Sequence, residues 1–244
     1  MASKNNRRDN NRRSNDKNKP VRERQFSKLK EVSPRNEHQS QYLESIENNS
    51  VVIASGPAGT GKTYLAVYEA LGHHWAKKMK RIVIARPAIE AGEKIGFLPG
   101  GIEDKLNPYL RPIFDSLYDI IGVELTNQKI ERGYVEIAPL AYMRGRTFNN
   151  CFVIMDEAQN ATFNQLVMAV TRVGDNCKMV INGDPYQSDL PVRSGQKSGI
   201  DRLQDALEEV RGVSVIRFDR QDVVRSKIVT DIIGALDKYE EENN

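Results

Sequence analysis

The sequence predicts an α/β protein: a mostly parallel sheet with helices on both faces. Three observations predict it. Short apolar runs at 50–55, 81–85, 134–138, 151–155, 178–182 and 213–218 have the length of buried strands. Segments with apolar residues at helical spacing lie between several of them, and this alternation places strands side by side in one parallel sheet. Gly-rich or acidic turns follow several runs, at the strand ends where ligands collect in such sheets.

Read in chain order, residues 1–33 come first and are rich in Asn, Arg, Lys, Ser and Asp. Val21, Phe26, Leu29 and Val32 are their only sizeable apolar groups, too few to offset the entropy of ordering. Disorder is expected to about residue 25, with a basic tail over 1–33 and a single domain over 34–244. Residues 1–35 hold 12 Lys and Arg against 4 Asp and Glu, and the rest of the chain holds 24 against 29. The positive charge is therefore in the tail and the body is mildly acidic. Two readings of the tail stand side by side. Arg7, Arg8, Arg12 and Arg13 form an arm for RNA, DNA or an acidic partner, or they solvate the chain.

The first apolar run, Val51-Val52-Ile53-Ala54, leads into Gly56-Pro57-Ala58-Gly59-Thr60-Gly61-Lys62-Thr63 and then a helix with Tyr64, Tyr68, Leu71 and Trp75 on one face. This is G-x-x-x-x-G-K-[ST] in its confirming context of strand, loop and helix. The glycines let backbone N–H groups face phosphate oxygens. Lys62 brings a positive charge to those oxygens, and Thr63 brings a hydroxyl to Mg²⁺. The helix N-terminus adds its dipole. The stretch from Gly56 to Tyr64 is thus the expected ATP-binding segment.

The run 81–85 is the second strand, and a Gly/Pro-rich loop follows over 86–101. Leu106, Tyr109, Leu110, Ile113, Phe114, Leu117 and Ile121 then repeat at helical spacing, interrupted by Pro108 and Pro112. Pro108 is expected to open a helix capped by Asn107, and Pro112 to kink it or mark a later start. Cys151-Phe152-Val153-Ile154-Met155 ends in Asp156-Glu157. A carboxylate at Asp156 suits Mg²⁺, and Glu157 suits the orientation or deprotonation of an attacking water. The next strand closes in Asn182-Gly183-Asp184-Pro185-Tyr186-Gln187, where Gln187 is the candidate sensor of the γ-phosphate; a plain Asp-Pro turn is the alternative. Val224, Ile228, Val229, Ile232, Ile233 and Leu236 form a last helical series.

No apolar run reaches the roughly 18 residues of a membrane span, and the N-terminus has no apolar leader. Cys151 and Cys177 lack metal-site spacing and read as reduced thiols. A cytoplasmic protein without membrane contact is expected, in the host cytoplasm if the source is a virus.

Six segments together resemble the PhoH-like family of P-loop ATPases: GPAGTGKTYLAV at 56–67, RPAIEAGEKIGFLPG at 86–100, PYLRPIFD at 108–115, MRGRTFN at 143–149, MDEAQN at 155–160 and GDPYQSDLP at 183–191. The resemblance covers residues 34–235 and implies a RecA-like P-loop NTPase fold, similar to the first motor domain of superfamily 1 helicases. It implies that Gln39 reads adenine, a task suited to an amide that both donates and accepts. The pattern departs in three places: no room for the accessory domains of longer members, Ser226-Lys227 where His-Pro is usual, and Ser188 where an apolar residue is usual.

A lone motor domain needs its activating arginine from elsewhere. The candidates are Arg225, which resembles the family's functional arginine, and Arg172, at a helix end before the sensor strand. The expectation is a homo-oligomeric ring, a hexamer, with one of these acting across subunits; a surface salt bridge is the alternative for each. Arg86, Lys94, Arg144 and Arg146 are placed on loops where related motors hold single-stranded RNA or DNA. Two functions follow: an ATP-hydrolysing motor dependent on nucleic acid, with RNA ahead of DNA, or an ATP-dependent assembly or regulatory module that acts on a protein partner. A small-molecule kinase is disfavoured, because no acceptor-site motif is present.

Overall fold

The computed structural model describes residues 29–87, 102–190 and 197–224, together with positions 228, 229, 232 and 235. Its elements run α1 (Glu37–Asn48), β1 (Val51–Ser55), α2 (Lys62–Trp75), β2 (Arg81–Arg86), α3 (Ile102–Ile121), α4 (Val123–Glu131), β3 (Val135–Pro139), β4 (Cys151–Met155), α5 (Phe163–Val170), β5 (Lys178–Gly183), α6 (Gly199–Leu207) and β6 (Val213–Arg217). The six strands form one sheet in the order β3-β2-β4-β5-β1-β6. Every pairing is parallel. The expected α/β, P-loop NTPase-like architecture is the one observed.

Period-two alternation explains the two layers. Val52, Ala54, Ile82, Ile84, Phe152 and Ile154 face one core with Tyr42 and Ile46 of α1, Leu65 and Leu71 of α2, and Ile113 and Leu117 of α3. Val51, Ile53, Val83, Val153, Met155 and Ile181 face the other, with Leu166 of α5 and Ile200 and Leu203 of α6. Strands β1 and β4 are buried along their whole length, which is why they read as unbroken apolar runs.

One expectation is corrected. Helix α3 starts at neither Pro108 nor Pro112; it begins at Ile102 and runs through both. A helix-interior proline costs about 3 kcal/mol. Leu110, Ile113, Leu117 and Ile120 are buried on the α2 side, and each fully buried aliphatic contributes about 1.5–3 kcal/mol. Burial therefore outweighs the lost backbone bonds.

Leu29, within the expected tail, is buried, and Lys30 pairs with Asp119 of α3 at 2.6 Å. The expected disorder before it, Lys94, Arg225, and Ile233 and Leu236 of the last helical series lie outside the described residues. Among the described residues no helix is long and apolar enough to cross a membrane.

Candidate active site

The carboxyl ends of β1, β4 and β5 meet, with Pro112 and Ser116 of α3, around a cleft of 280 Å³. Its first wall is the loop after β1. The Gly56 N–H donates to Gly183 O at 3.1 Å, and the Phe218 N–H donates to Ser55 O at 2.7 Å. Gly56 has φ +140°, and a Cβ there would stand 2.4 Å from the Phe218 carbonyl oxygen. Gly61, at φ +83°, turns the chain into α2. Lys62 is 8% exposed; its Nζ donates to Gly56 O (2.7 Å), Pro57 O (2.8 Å) and Thr60 Oγ1 (3.0 Å). Burial lowers its pKa, against the opposing pull of Asp184, Asp156 and Glu157. Pro57, Ala58, Gly59 and Thr60 complete the loop as expected, and Thr60 Oγ1 donates to Pro57 O at 3.1 Å.

Thr63 Oγ1 donates to Asp156 Oδ1 at 2.6 Å. Burial raises the Asp156 pKa, and the Thr63 hydrogen bond partly offsets it. A hydroxyl and a carboxylate oxygen in contact, beside a phosphate-type loop, are the hard donors Mg²⁺ takes. The residues present fit that ion.

Glu157 follows in the left-handed region, φ 55° and ψ 40°. Its Oε1 lies 2.9 Å from Arg86 Nη2, and its Oε2 accepts a hydrogen bond from Gln159 Nε2. The Gln159 Oε1 accepts the Asp184 N–H at 2.9 Å. Asp184 Oδ2 in turn accepts the Ala58 N–H at 3.1 Å. A continuous polar chain thus runs from Arg86 through Glu157, Gln159 and Asp184 to the phosphate loop. Sequence reasoning picked out neither Gln159 nor Asp184 for this role, although both stand in the quoted motifs.

Gln187, the expected sensor, lines the cleft, and its backbone N–H donates to Asp184 O at 3.0 Å. Asn182 was not anticipated. Tyr42 Oη donates to its Oδ1 at 2.7 Å, and burial raises the Tyr42 pKa. Among the described residues the Asn182 Nδ2, a buried donor of a residue that lines the cleft, has no hydrogen-bond partner. Tyr64 also lines the cleft, but its hydroxyl donates to Asp119 Oδ2 at 2.7 Å; burial first, then that carboxylate, pushes its pKa up to about 12.

Gln39, expected to read adenine, is 4% exposed. Its Oε1 accepts the Arg35 N–H at 2.8 Å, and its Nε2 donates to Thr60 O at 2.9 Å. In this arrangement it braces the phosphate loop. Beside it, His38 Nδ1 and Asp222 Oδ2 are 2.6 Å apart, a hydrogen bond that raises the His38 pKa. Phe218 stacks edge-on against Tyr42 and His38, and the Val224 N–H donates to Gly59 O at 2.9 Å. The C-terminal segment therefore packs on the phosphate loop, a contact no local pattern announces.

The remaining predicted positions divide. Arg86 is the last residue of β2 rather than out on a loop, and its guanidinium pairs with Glu157, which lines the cleft. Arg144 is exposed beyond the end of β3. Arg146 forks onto Glu136, with Nη2 to Oε2 at 2.9 Å, and lies over the Phe148 ring. Arg172 closes α5: its Nε donates to Met168 O at 3.1 Å. It sits at the amino edge of the sheet, because its carbonyl accepts the Phe148 N–H just ahead of β4. It cannot reach the cleft of its own chain. Lys94 and Arg225 lie outside the described residues.

The family described as PhoH-like protein matches residues 31–237. The PhoH-like protein of Bacillus subtilis (strain 168) is 47% identical over 212 residues, covering 87% of this chain and 66% of that one. Protein PhoH of Escherichia coli (strain K12) is 43% identical over 199 residues, covering 81% of this chain and 56% of that one. The chain thus spans about 56–66% of the length of these relatives. Among solved structures, the large terminase of a thermophilic bacteriophage superposes with TM-score 0.50 at 14% identity, over 82% of this chain and 50% of that one. That likeness is one of fold.

Proposed function

The chain belongs to the PhoH-like protein family, and from that premise we propose that it binds ATP with Mg²⁺, hydrolyses it, and couples turnover to a single-stranded nucleic acid, RNA before DNA. The observation that carries the hydrolase reading is the Thr63–Asp156 contact with Glu157 next in sequence, all at the mouth of the phosphate loop.

Lys62 and the loop N–H groups hold the β- and γ-phosphates. Thr63 and Asp156 hold Mg²⁺, which when bound neutralises charge on the phosphate oxygens. Glu157 takes a proton from the water that attacks the γ-phosphorus. Asn182 donates to a phosphate oxygen, and Gln187 orients the water or reports the loss of phosphate. Lys62 Nζ waits on the carbonyls of Gly56 and Pro57, bonds that the phosphate oxygens of the nucleotide would replace.

The polymer reading is supported by the family and by Arg144, which is exposed beyond the end of β3. Arg172 stands at the amino edge of the sheet, so it would complete a cleft only across a subunit boundary, as in a ring; Arg225 is the second candidate. The test is ATP turnover with and without single-stranded RNA and DNA, for the wild type and Glu157→Gln, with the oligomer mass recorded. Turnover lost in the variant and raised by RNA is expected. Turnover indifferent to both polymers moves the function to a protein partner. A monomeric mass at full turnover removes the ring.

A further inference from the structure

A general base must offer an oxygen to the water it deprotonates. In Glu157 both oxygens are already engaged, Oε1 by Arg86 and Oε2 by Gln159. The pairing is built by the sheet. Ala85 and Met155 are register partners in adjacent strands, and the Asp156 N–H donates to Ala85 O at 2.9 Å. Arg86 and Glu157 therefore leave neighbouring strand ends at a fixed separation. The left-handed backbone of Glu157, uncommon for a residue with a side chain, is held by this surrounding structure.

The rest of the polar chain belongs to the same state. Asp184 occupies the Ala58 N–H, a group that a phosphate would take, and Lys62 donates to carbonyls of its own loop. Gln159 connects Asp184 to Glu157, so the arrangement that caps the loop is also the one that occupies the carboxylate. The Arg86 side chain is 18% exposed and that of Glu157 36%, so the pair is not sealed from solvent. A guanidinium fork suits a phosphodiester or phosphate group as well as it suits a carboxylate.

We propose that Arg86 is a positioning residue that parks Glu157 in a low-turnover arrangement, and that a phosphate-bearing polymer drawing on the Arg86 guanidinium frees the carboxylate for the attacking water. The proposal rests on the reading of Glu157 as the base. Arg86 then links the polymer to the chemistry without touching ATP.

The full chain is assayed for kcat and KM as Arg86→Ala, Arg86→Lys, Glu157→Gln and the double variant Arg86→Ala/Glu157→Gln, with and without poly-U RNA. Without polymer, Arg86→Ala is expected to raise kcat about three- to tenfold with KM for ATP unchanged, a modest gain because Gln159 still holds the second oxygen. Polymer should add little further. Arg86→Lys, which keeps the charge and loses the fork, should fall between. The double variant should be as inactive as Glu157→Gln, which shows that the gain passes through Glu157. A kcat for Arg86→Ala that is unchanged, or that falls towards Glu157→Gln, overturns the proposal. If thermal melting shows Arg86→Ala unfolded, Arg86→Lys decides by the same direction of change. A wild type indifferent to polymer, with Arg86→Ala still faster, keeps the restraint and removes the polymer from the function proposed above. A wild type stimulated by RNA, with Arg86→Ala slower, keeps the motor and overturns the restraint.

Discussion

At the carboxyl edge of the sheet, Lys62, Asp156, Glu157 and Asp184 converge on one cleft, and Arg86 pairs with Glu157 beside it. At the amino edge Lys178, Lys78, Glu47 and His73 form a cluster of the same residue types. Lys178 Nζ donates to the carbonyls of Ile46, Glu47 and Asn49, tying off the end of α1. Lys78 pairs with Glu47 at 2.8 Å, and His73 lies 3.1 Å from Glu47. Buried Glu69 joins Glu47 and His73 there. Two lysines balance two carboxylates, so the cluster does not call for a metal. The difference lies in the partners. At the amino edge they are backbone carbonyls and fixed counter-charges, which a ligand cannot replace. At the carboxyl edge Lys62 and Asp184 are held by loop carbonyls and an amide and Asp156 by a hydroxyl, which a phosphate or a metal ion can replace. Arg86 and Glu157 form a partly exposed pair there. Charge of one kind supports the fold, and charge of the other is held ready for exchange.

The sharpest way to break this comparison is at the carboxyl edge. Lys62→Ala or Glu157→Gln should lower kcat by about 10²–10⁴-fold while leaving the melting temperature nearly unchanged. A variant that melts like an unfolded chain would place these charges with the structural set.

The amino edge should respond to pH instead. Burial, aided by Lys78 and Lys178 and opposed by Glu47, pushes the His73 pKa down to about 4 from 6.5. A histidine depressed in the folded state adds stability that is present above 6.5 and lost as pH falls through 4. Denaturant titrations should therefore show a loss of up to about 3 kcal/mol between those pH values. His73→Asn should flatten that dependence and leave KM for ATP unchanged. A pH response that persists in the variant would assign it to other groups.

Next in size, Lys178→Met strips three carbonyls of their donor and should cost about 1–3 kcal/mol by chemical denaturation, with kcat intact. The smallest effect is expected from a charge at neither edge's cluster. Arg217 and Glu208 pair at 2.8 Å with both side chains about half exposed. Glu208→Gln should shift stability by about 0–1 kcal/mol, within the range of screened surface pairs.

Legibility followed the same division. The phosphate loop, the Asp156-Glu157 pair and the strands that carry them are contiguous in sequence, and their chemistry survives as a local pattern. The start of α3 was misplaced at a proline because a local rule about backbone donors was overridden by the apolar face of α3, whose burial depends on a distant helix. Gln39 was placed near the nucleotide by resemblance, and the structure has it bonded to Arg35 and Thr60. Arg86 was placed with the polymer-binding loops because nothing local shows that β2 and β4 are neighbours.

The sequence by itself determined the short-range facts: a strand, a glycine-permitted turn and a helix at 51–75, and a buried strand ending in two carboxylates at 151–157. The physics there is local, since backbone conformation and burial period are properties of adjacent residues. Only the tertiary structure decided which charged groups meet. Arg86 reaches Glu157, Asp184 reaches the Ala58 N–H, and Asp222 reaches His38 through a parallel sheet whose strand order departs from chain order. Those meetings depend on the packing of two apolar layers, and hydrophobic attraction carries no direction, so the partners of each charge are settled by the register of the sheet.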